Sequence, residues 1–453
     1  MVLNRLRYRL GILRASYWFV PTLMTLGSAL LALFMIRVDE ALDLETFRQL
    51  GFVYYNEPDG ARALVSTVAS SMITVAGTTF SITLAVLSLT SGQFGPRLLN
   101  NFMRDTGNQI VLGTFVSTYV YCLLVLRTIH GDGTFTGEAF VPHLSVILAI
   151  AFALSSLGVF IYFIHHTASS IQASNITDRI TADLEGMIRK LYADPDDAPD
   201  PATPHPQALD PRKLDPQAAR AVGLKGQRSA YLQTVDENGL RRFAEAHSVT
   251  LKSLYLPGTF VLEAQPVVLV WPEDTLDEDE RGALSTYFAL GSSRTPAQDL
   301  DFLFDQLSEM ALRALSPGVN DPVTAMRCAD RIVQGFYLMV TRKPPPAYHY
   351  DDEGRLRLIV PQLDLENLVA DTLGELRRFS ADNMLVSMHL LDLIGTLLVA
   401  TDHSELRRAL LNEATLIREG SKKVLLDADF ARLEGRYREV INASEPAFLQ
   451  PAR

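Results

Sequence analysis

Four long apolar stretches constrain this chain more than any other feature of its sequence. They run from about Trp18 to Ile36, from Ala63 to about Ser91, from about Ile110 to Leu126, and from about Leu144 to Ile164. Because about 20 apolar residues in a helix can cross the hydrocarbon core of a bilayer, each stretch predicts one transmembrane helix. The first stretch is too long for the core of a cleavable signal peptide, and no small-residue cleavage site follows it. The sequence therefore predicts a four-span membrane domain over residues 1–166.

The rest of the chain has the composition of a soluble and acidic protein. Hydrophobic residues make up 48% of the 453 residues, and the long apolar runs all lie in the first part of the chain. Of the net charge of −11, residues 1–166 carry about +1, which leaves about −12 for residues 167–453. Because phosphate binding needs clustered Lys and Arg, this composition argues against nucleic acid as a partner.

Charges in the connecting loops predict the orientation of the spans. Four arginines precede the first span, whereas the loop after it carries six acidic residues against three arginines. The loop after the second span carries Arg97 and Arg104. Because basic loops stay on the cytoplasmic side, the N-terminus is predicted to be cytoplasmic. Four crossings then return the C-terminal part of the chain to the cytoplasm.

Changes in periodicity divide the predicted cytoplasmic part into four segments. Residues 167–192 predict a helix that continues out of the fourth span, and residues 193–222 predict a Pro-rich acidic linker. Residues 223–273 predict a small α/β unit, with strands in SAYLQTVD, TLKSLYLP and FVLEAQPVVLVWP. Residues 274–453 predict a mainly helical domain with one short strand. The predicted fold class is an α-helical integral membrane protein with a cytoplasmic α+β domain, in which a small mixed sheet joins a helical bundle.

The helices of the last segment have predicted starting points. One helix is expected over Asp274 to Leu290, and another over residues 293–315 with Thr295 as its N-cap. A third is expected to begin after Asn320 or Asp321. Four further helices are predicted at about 364–379, 384–401, 404–418 and 421–442.

One face of the second span carries only small or hydroxylated residues, which we call the hydroxyl stripe. Its members are Thr67, Ser71, Thr74, Thr78, Ser81, Ala85, Ser88 and Gly92. Their spacing alternates between four and three residues, so all lie along one side of a helix. Small residues let another helix approach closely, which favours a packing seam. The same face could instead line a water-filled path formed by several copies of the span.

Polar residues follow the stripe where the second span is predicted to end. Gln93, Arg97 and Arg104 would stand at the cytoplasmic mouth of such a path. The two arginines could attract anions there, or they could only anchor the chain to lipid headgroups.

One dense group of charged and polar residues lies in the predicted cytoplasmic domain. Its members are Arg294, Asp299, Asp301, Arg313, Asn320, Asp321, Arg327 and Asp330. The group could hold a ligand, or it could be an ion-pair network that ties two helices and a turn together. We find no Ser-His-Asp pattern, metal-ligand spacing, catalytic carboxylate pair or phosphate-binding glycine loop. The sequence therefore predicts no catalytic residue, no metal site, no cofactor and no enzyme activity.

The two cysteines and a histidine pair predict no metal or disulfide chemistry. Cys122 lies in an apolar run and Cys328 in a predicted soluble helix, so both are expected to be packing residues without a disulfide. His165 and His166 stand at the membrane edge, and adjacent helical residues point about 100° apart, so they do not readily share a metal. Interfacial anchoring and pH sensing both remain open for this pair.

Several phrases together resemble a known family. They are TTFSITLAVLSLTSGQFGPRLL, FIHHTASSIQ, SAYLQTVD and RTPAQDLDFLFDQLSEMALRALSPGVNDPVTA. They resemble the bacterial membrane-protein family known as domain of unknown function 2254, over nearly the whole chain. The resemblance implies an integral protein of the inner membrane with the topology given above. It implies no reaction and assigns no functional residues.

Three function classes remain at this point. The leading hypothesis is a homo-oligomeric channel or pore-type transporter for an ion or small solute, with the second span lining the path through the lipid bilayer. The alternative is a membrane-anchored sensor or scaffold whose cytoplasmic domain binds a partner or a small ligand. A membrane enzyme is the least supported class, because the four predicted spans contain no His, Asp or Glu.

Overall fold

The chain divides into two compact units, Met1–Asn175 and Ile176–Arg453, which we call the membrane unit and the C-terminal unit. The structure is a computed structural model. It describes residues 18–41, 57–94, 105–131, 140–170, 172–194, 214–215, 218–224, 228–273 and 275–444.

Four helices form the membrane unit. They are α1 (Phe19–Ala41), α2 (Pro58–Phe94), α3 (Thr106–Thr128) and α4 (His143–Ser170). Among the described residues, these four are long and apolar enough to cross a membrane. The four predicted spans are therefore present as candidate membrane helices, each longer than its apolar stretch.

Helix α3 lies at the centre of the membrane unit. In the most apolar stretch of α3, 56% of the residues are buried, against 22% in the corresponding stretch of each of the other three helices. Small residues permit close contact: Gly113 of α3 lies against Met24 of α1, where a larger side chain would clash. Phe115 of α3 packs with Ala76 of α2 and Phe163 of α4. The core of the unit is therefore built around α3.

The prediction that the fourth span continues as one helix through residues 167–192 is wrong. Helix α4 ends at Ser170, and a separate helix α5 covers Ala173–Leu191. The side-chain amide of Asn175 donates a 2.6 Å hydrogen bond to the carbonyl of Ser169, which is a local competitor of the helical ladder. Helix α5 carries one buried apolar face, on which Ile180, Leu184 and Ile188 are fully buried.

Two sheets lie in the C-terminal unit. Their strands are β1 (Arg220–Val222), β2 (Ala230–Val235), β3 (Thr250–Ser253), β4 (Phe260–Val261), β5 (Val268–Trp271), β6 (Phe288–Gly291), β7 (Tyr348–Tyr350) and β8 (Leu356–Ile359). One sheet has the order β1-β5-β3-β8-β7 and the other β4-β2-β6. The β3–β8 pair is parallel and the remaining pairs are antiparallel, so the first sheet is mixed. Helix α6 (Glu237–Ala246) connects β2 to β3.

The segment predicted as one helix over 274–290 contains three elements instead. Helix α7 covers only Glu278–Ala283, a 3₁₀ turn covers Leu284–Tyr287, and β6 follows. Strand β6 pairs with β2, so a long-range strand pairing overrides the local helical pattern. The predicted strand FVLEAQPVVLVWP is likewise divided into β4 and β5, with Ala264 at a φ of 63° between them.

Helices make up the remainder of the C-terminal unit. They are α8 (Leu300–Ala314), α9 (Pro322–Val340), α10 (Leu365–Ser380), α11 (Met384–Ala400), α12 (Ser404–Lys422) and α13 (Asp427–Ser444). Asp321 caps α9 by accepting a hydrogen bond from the backbone N–H of Thr324, and Pro322 is in the first turn, which confirms the prediction for this helix. The helix predicted over residues 293–315 is present as α8, but it begins later than predicted, because Asp299 and not Thr295 is its N-cap.

Candidate functional site

The hydroxyl stripe lies on the outer surface of the membrane unit. Its seven described members, from Thr67 to Ser88, are all exposed. Helix α2 instead buries its opposite face, through residues such as Val65, Ala69 and Ala76, against the other helices of the unit. Gly92 and the predicted mouth residues Gln93, Arg97 and Arg104 lie outside the part of the chain whose side chains the structure describes. The described stripe is therefore not a packing seam within one chain.

The stripe hydroxyls bond to their own helix. Five of the six described stripe hydroxyls donate to the backbone carbonyl four residues earlier, at 2.8 to 3.0 Å; they belong to Thr67, Ser71, Thr74, Thr78 and Ser81. Their donors are thus satisfied without a partner helix, which lowers the cost of placing them in a membrane. The hydroxyl oxygens keep a lone pair that points away from the helix, so the face offers a row of uncharged acceptors.

The structure brings together a buried polar group at the start of α3 that the sequence patterns did not indicate as a unit. Asp105 is the N-cap of α3 and accepts a 2.8 Å hydrogen bond from the backbone N–H of Gly107. His166 of α4 places its Nε2 atom 2.9 Å from the second carboxylate oxygen of Asp105. The ring of Tyr162 stacks on His166 at a centroid distance of 5.3 Å. The sequence signal that could have indicated this group is the polar run DTGNQ, residues 105–109, directly before the third predicted span.

A second buried carboxylate lies inside α1, beyond the predicted end of the first span. Asp39 accepts hydrogen bonds from the backbone N–H groups of Leu144 and Ser145, at 2.9 and 3.0 Å, and from the Ser145 hydroxyl at 2.6 Å. These bonds satisfy the first turn of α4, where a negative charge is stabilised by the helix dipole. Asp39 thus ties α1 to α4.

The structure divides the charged group of the C-terminal unit into separate contacts. Arg294 binds Asp299 with two hydrogen bonds of 2.7 and 2.8 Å, and it donates a third, of 2.6 Å, to Asp305. Asp301 lies near these charges. The other predicted members are dispersed: Arg313 pairs with Glu309, Asp321 caps its own helix, Asp330 lies 2.7 Å from His389, and Asn320 and Arg327 are exposed.

Burial and neighbouring charges shift the pKa values of Arg294 and Asp301. Burial works against the charged guanidinium of Arg294, but the hydrogen bonds and charges of Asp299 and Asp305 outweigh it and raise the pKa of Arg294. Burial, together with the charges of Asp299 and Asp305, raises the pKa of Asp301 to about 6. An Arg–Asp pair with two hydrogen bonds, whose carboxylate also caps a helix, is typical of a stabilising contact in the fold. The ion-pair interpretation therefore accounts for the geometry of Arg294 and Asp299.

Gly258 shows how tightly the Asp299 carboxylate is held. Its φ is 100°, and a Cβ atom at this position would clash with the carboxylate of Asp299. Glycine is therefore needed both for the backbone conformation and for the close approach.

The described residues contain no group of three or more His, Cys, Asp or Glu side chains that could hold a metal ion. Cys122 and Cys328 are both buried and free.

Comparison with known proteins is consistent with the membrane unit. The chain is 29% identical over 464 residues to an uncharacterized protein of Mycobacterium tuberculosis (strain CDC 1551 / Oshkosh). This alignment covers 99% of this chain and 85% of the relative. An uncharacterized protein of Mycobacterium bovis matches with the same identity and coverage. No solved structure matches the chain. The model of the family described as "Predicted membrane protein (DUF2254)" matches residues 14–396. The chain therefore belongs to this family of predicted membrane proteins, domain of unknown function 2254.

Proposed function

We propose that several copies of this chain assemble in the bilayer into a channel or pore-type transporter, with the hydroxyl stripe of α2 lining the path. The observation that carries the proposal is the outward position of the stripe. All seven described members are exposed on one chain, while the opposite face of α2 is buried. A continuous polar face on the outside of a membrane helix bundle is available to other copies of the same chain.

The dimensions of the stripe agree with a path across the membrane. From Thr67 to Ser88 the helix rises about 31 Å, at roughly 1.5 Å per residue. The hydrocarbon core of a bilayer is about 30 Å thick. A local contact between two crossing helices needs only a few small residues, whereas this face extends over the full thickness.

The chemistry of the face favours an ion or a small polar solute. The seven described members carry no charge, so they present no fixed charge that selects the sign of an ion. Hydroxyl oxygens can replace part of the water shell of a permeating species, as carbonyl oxygens do in other filters. The C-terminal unit, on the cytoplasmic side, would then assemble the copies and gate the path.

Cysteine accessibility tests the proposal directly. Single cysteines at Ser81 and Ser88 should react with membrane-impermeant thiol reagents, because both would face water. A cysteine at Ile73 is the matched control: Ile73 is 45% exposed, and none of the residues three or four positions from it belongs to the stripe, so it would face lipid. Equal protection at all three positions would remove the pore and leave a packing seam or a lipid-facing surface.

Flux and mass measurements complete the test. Reconstituted liposomes should pass small ions, and Ser81→Leu should reduce the flux by placing a bulky apolar side chain in the path. Ile73→Val, on the lipid side, should leave the flux unchanged. A strictly monomeric mass in detergent, or an equal flux for Ser81→Leu and the wild-type chain, would defeat the proposal.

A further inference from the structure

The first turn of α3 gathers more buried polar side chains than the described residues satisfy. Asp105, Asn108 and Gln109 lie at positions i, i+3 and i+4, so they share one face of the helix start. Their exposed fractions are 9%, 2% and 1%. Three polar side chains buried together at the end of a membrane helix need a physical explanation.

Part of this group is satisfied by the chain itself. Asp105 accepts from the backbone N–H of Gly107 and contacts Nε2 of His166. Gly107 has no side chain, and a Cβ atom there would lie 3.0 Å from Asp105 Oδ1, His166 Nε2 and the Tyr162 hydroxyl. Glycine thus lets the carboxylate, imidazole and phenol approach the start of α3 together.

Two side chains that adjoin this group in sequence remain unsatisfied. Both Oδ1 and Nδ2 of Asn108 are buried, and among the described residues neither has a hydrogen-bond partner. The Oγ1 atom of Thr167, next to His166 in α4, is also buried without a partner, and the residue is 6% exposed. Buried polar atoms in native proteins nearly always have a partner, so these atoms indicate an occupant from outside the chain.

We propose that the start of α3 is a binding site for a small monovalent cation such as Na⁺. Asp105 is the charged ligand, Asn108 Oδ1 and Thr167 Oγ1 are neutral oxygen ligands, and His166 is a positioning residue that holds the Asp105 carboxylate. Carboxylate, amide and hydroxyl oxygens are the ligands that hard cations prefer.

Charge decides between the candidate occupants. The N-terminus of α3 contributes roughly half a positive charge, which the full negative charge of Asp105 outweighs. With His166 neutral, a water molecule would satisfy hydrogen bonds but would leave the Asp105 carboxylate without a counter-charge; a proton on His166 is the competing occupant. Divalent cations usually take several carboxylates, and Asp105 is the one carboxylate among the described residues of this group. A single positive charge is therefore the best match.

The site lies inside one copy of the chain, so the proposal holds whether or not copies of α2 form a pore. The test uses the full-length protein purified in detergent, with its thermal unfolding followed in NaCl and in choline chloride of equal ionic strength. Na⁺ should raise the unfolding temperature with a saturating dependence on its concentration, because a ligand that binds only the folded state stabilises it.

Variants identify the ligands. Asp105→Asn keeps an N-cap, since Asn caps as well as Asp, but it removes the charge and should abolish the Na⁺ dependence. Asn108→Leu and the isosteric Thr167→Val should each weaken the apparent Na⁺ affinity at least tenfold. Thr118→Val is the matched control: Thr118 is equally buried on α3, but its hydroxyl lies 3.4 Å from that of Ser156, so this variant should keep the wild-type dependence.

Several results would overturn the cation site. Equal unfolding temperatures in NaCl and choline chloride would mean ordered water only. A response to pH without a response to Na⁺ would identify a proton as the occupant, and a response to Mg²⁺ alone would exclude a monovalent site. If Asp105→Asn does not fold, Thr167→Val decides, and an unchanged Na⁺ dependence in that variant refutes the assignment.

Discussion

Replacing Asp299 with alanine should destabilise the C-terminal unit strongly. The Asp299 side chain is 1% exposed, and it makes three charge-assisted contacts: two with Arg294, at 2.7 and 2.8 Å, and one with the backbone N–H of Phe302, at 3.0 Å. The change removes the charged partner of Arg294 and the N-cap of α8 in one step. Arg294 is 21% exposed and keeps its contact with Asp305, so its charge is not left wholly unpaired.

These contacts set the expected magnitude. Removing one partner of a buried ion pair costs about 3–5 kcal/mol when the other charge remains uncompensated. Because Asp305 and water partly compensate Arg294, the lower end of this range applies. Loss of the N-cap adds about 1 kcal/mol. We therefore expect Asp299→Ala to lower the free energy of unfolding by about 3–4 kcal/mol.

Tryptophan fluorescence can isolate this unit. The chain has two tryptophans, Trp18 in the membrane unit and Trp271 in β5, where it is 7% exposed. In a Trp18→Phe background, the emission of Trp271 reports on the C-terminal unit. Urea unfolding of the detergent-solubilised full chain then gives the difference in free energy between variants.

Two matched variants separate the contributions. Asp305→Ala removes a 31% exposed partner with no capping role, and it should cost under about 1 kcal/mol. Asp299→Asn keeps the cap and removes the charge, so it should be less harmful than Asp299→Ala by about 1 kcal/mol. Equal losses for Asp299→Ala and Asp305→Ala would show that the buried pair does not stabilise the unit in the way argued here.

Two further predictions concern titration and thiol reactivity. The pKa of Asp301 is raised to about 6 in the folded chain, above its unfolded value of about 4, so the ionised carboxyl lowers stability above pH 6 and has no such effect below about pH 4. Asp301→Asn should therefore raise the urea midpoint at pH 8 and leave it nearly unchanged at pH 4; an equal effect at both pH values would contradict this. Cys122 and Cys328 are fully buried, and burial raises the pKa of Cys328 to about 12, so neither should react with a hydrophilic maleimide until the chain is unfolded in SDS. Mass spectrometry detects the adduct, and rapid labelling of the folded protein would refute the burial of that cysteine.

Features that depend on local sequence could be predicted from it. The four membrane helices follow from the length and hydropathy of single segments, which no distant contact needs to complete. The start of α9 also follows from neighbours, since Asp321 and Pro322 favour a helix start by themselves. For the same reason, most of α10 to α13 lie within a few residues of their predicted ranges.

Features that depend on distant partners could not be predicted from the sequence. Strand β6 lies in a segment with helical periodicity, and it forms because β2 offers a pairing edge more than 50 residues earlier. Asp299 and not Thr295 caps α8, in a position where Arg294 binds its carboxylate, Asp305 binds Arg294, and Gly258 leaves room for the close approach. These contacts bring residues from separate segments together, so no short window of sequence predicts them.

The candidate sites show the same division. The spacing of the hydroxyl stripe is a property of the sequence, but α2 carries small residues on two faces, including Ala69 and Ala76 on the other one. Periodicity cannot show which of the two faces is buried, so the packing of α2 against α3 and α4 decides that the stripe points outward. The group at Asp105 and His166 joins residues 61 positions apart, and it exists because α3 and α4 pack side by side with Gly107 between the two side chains.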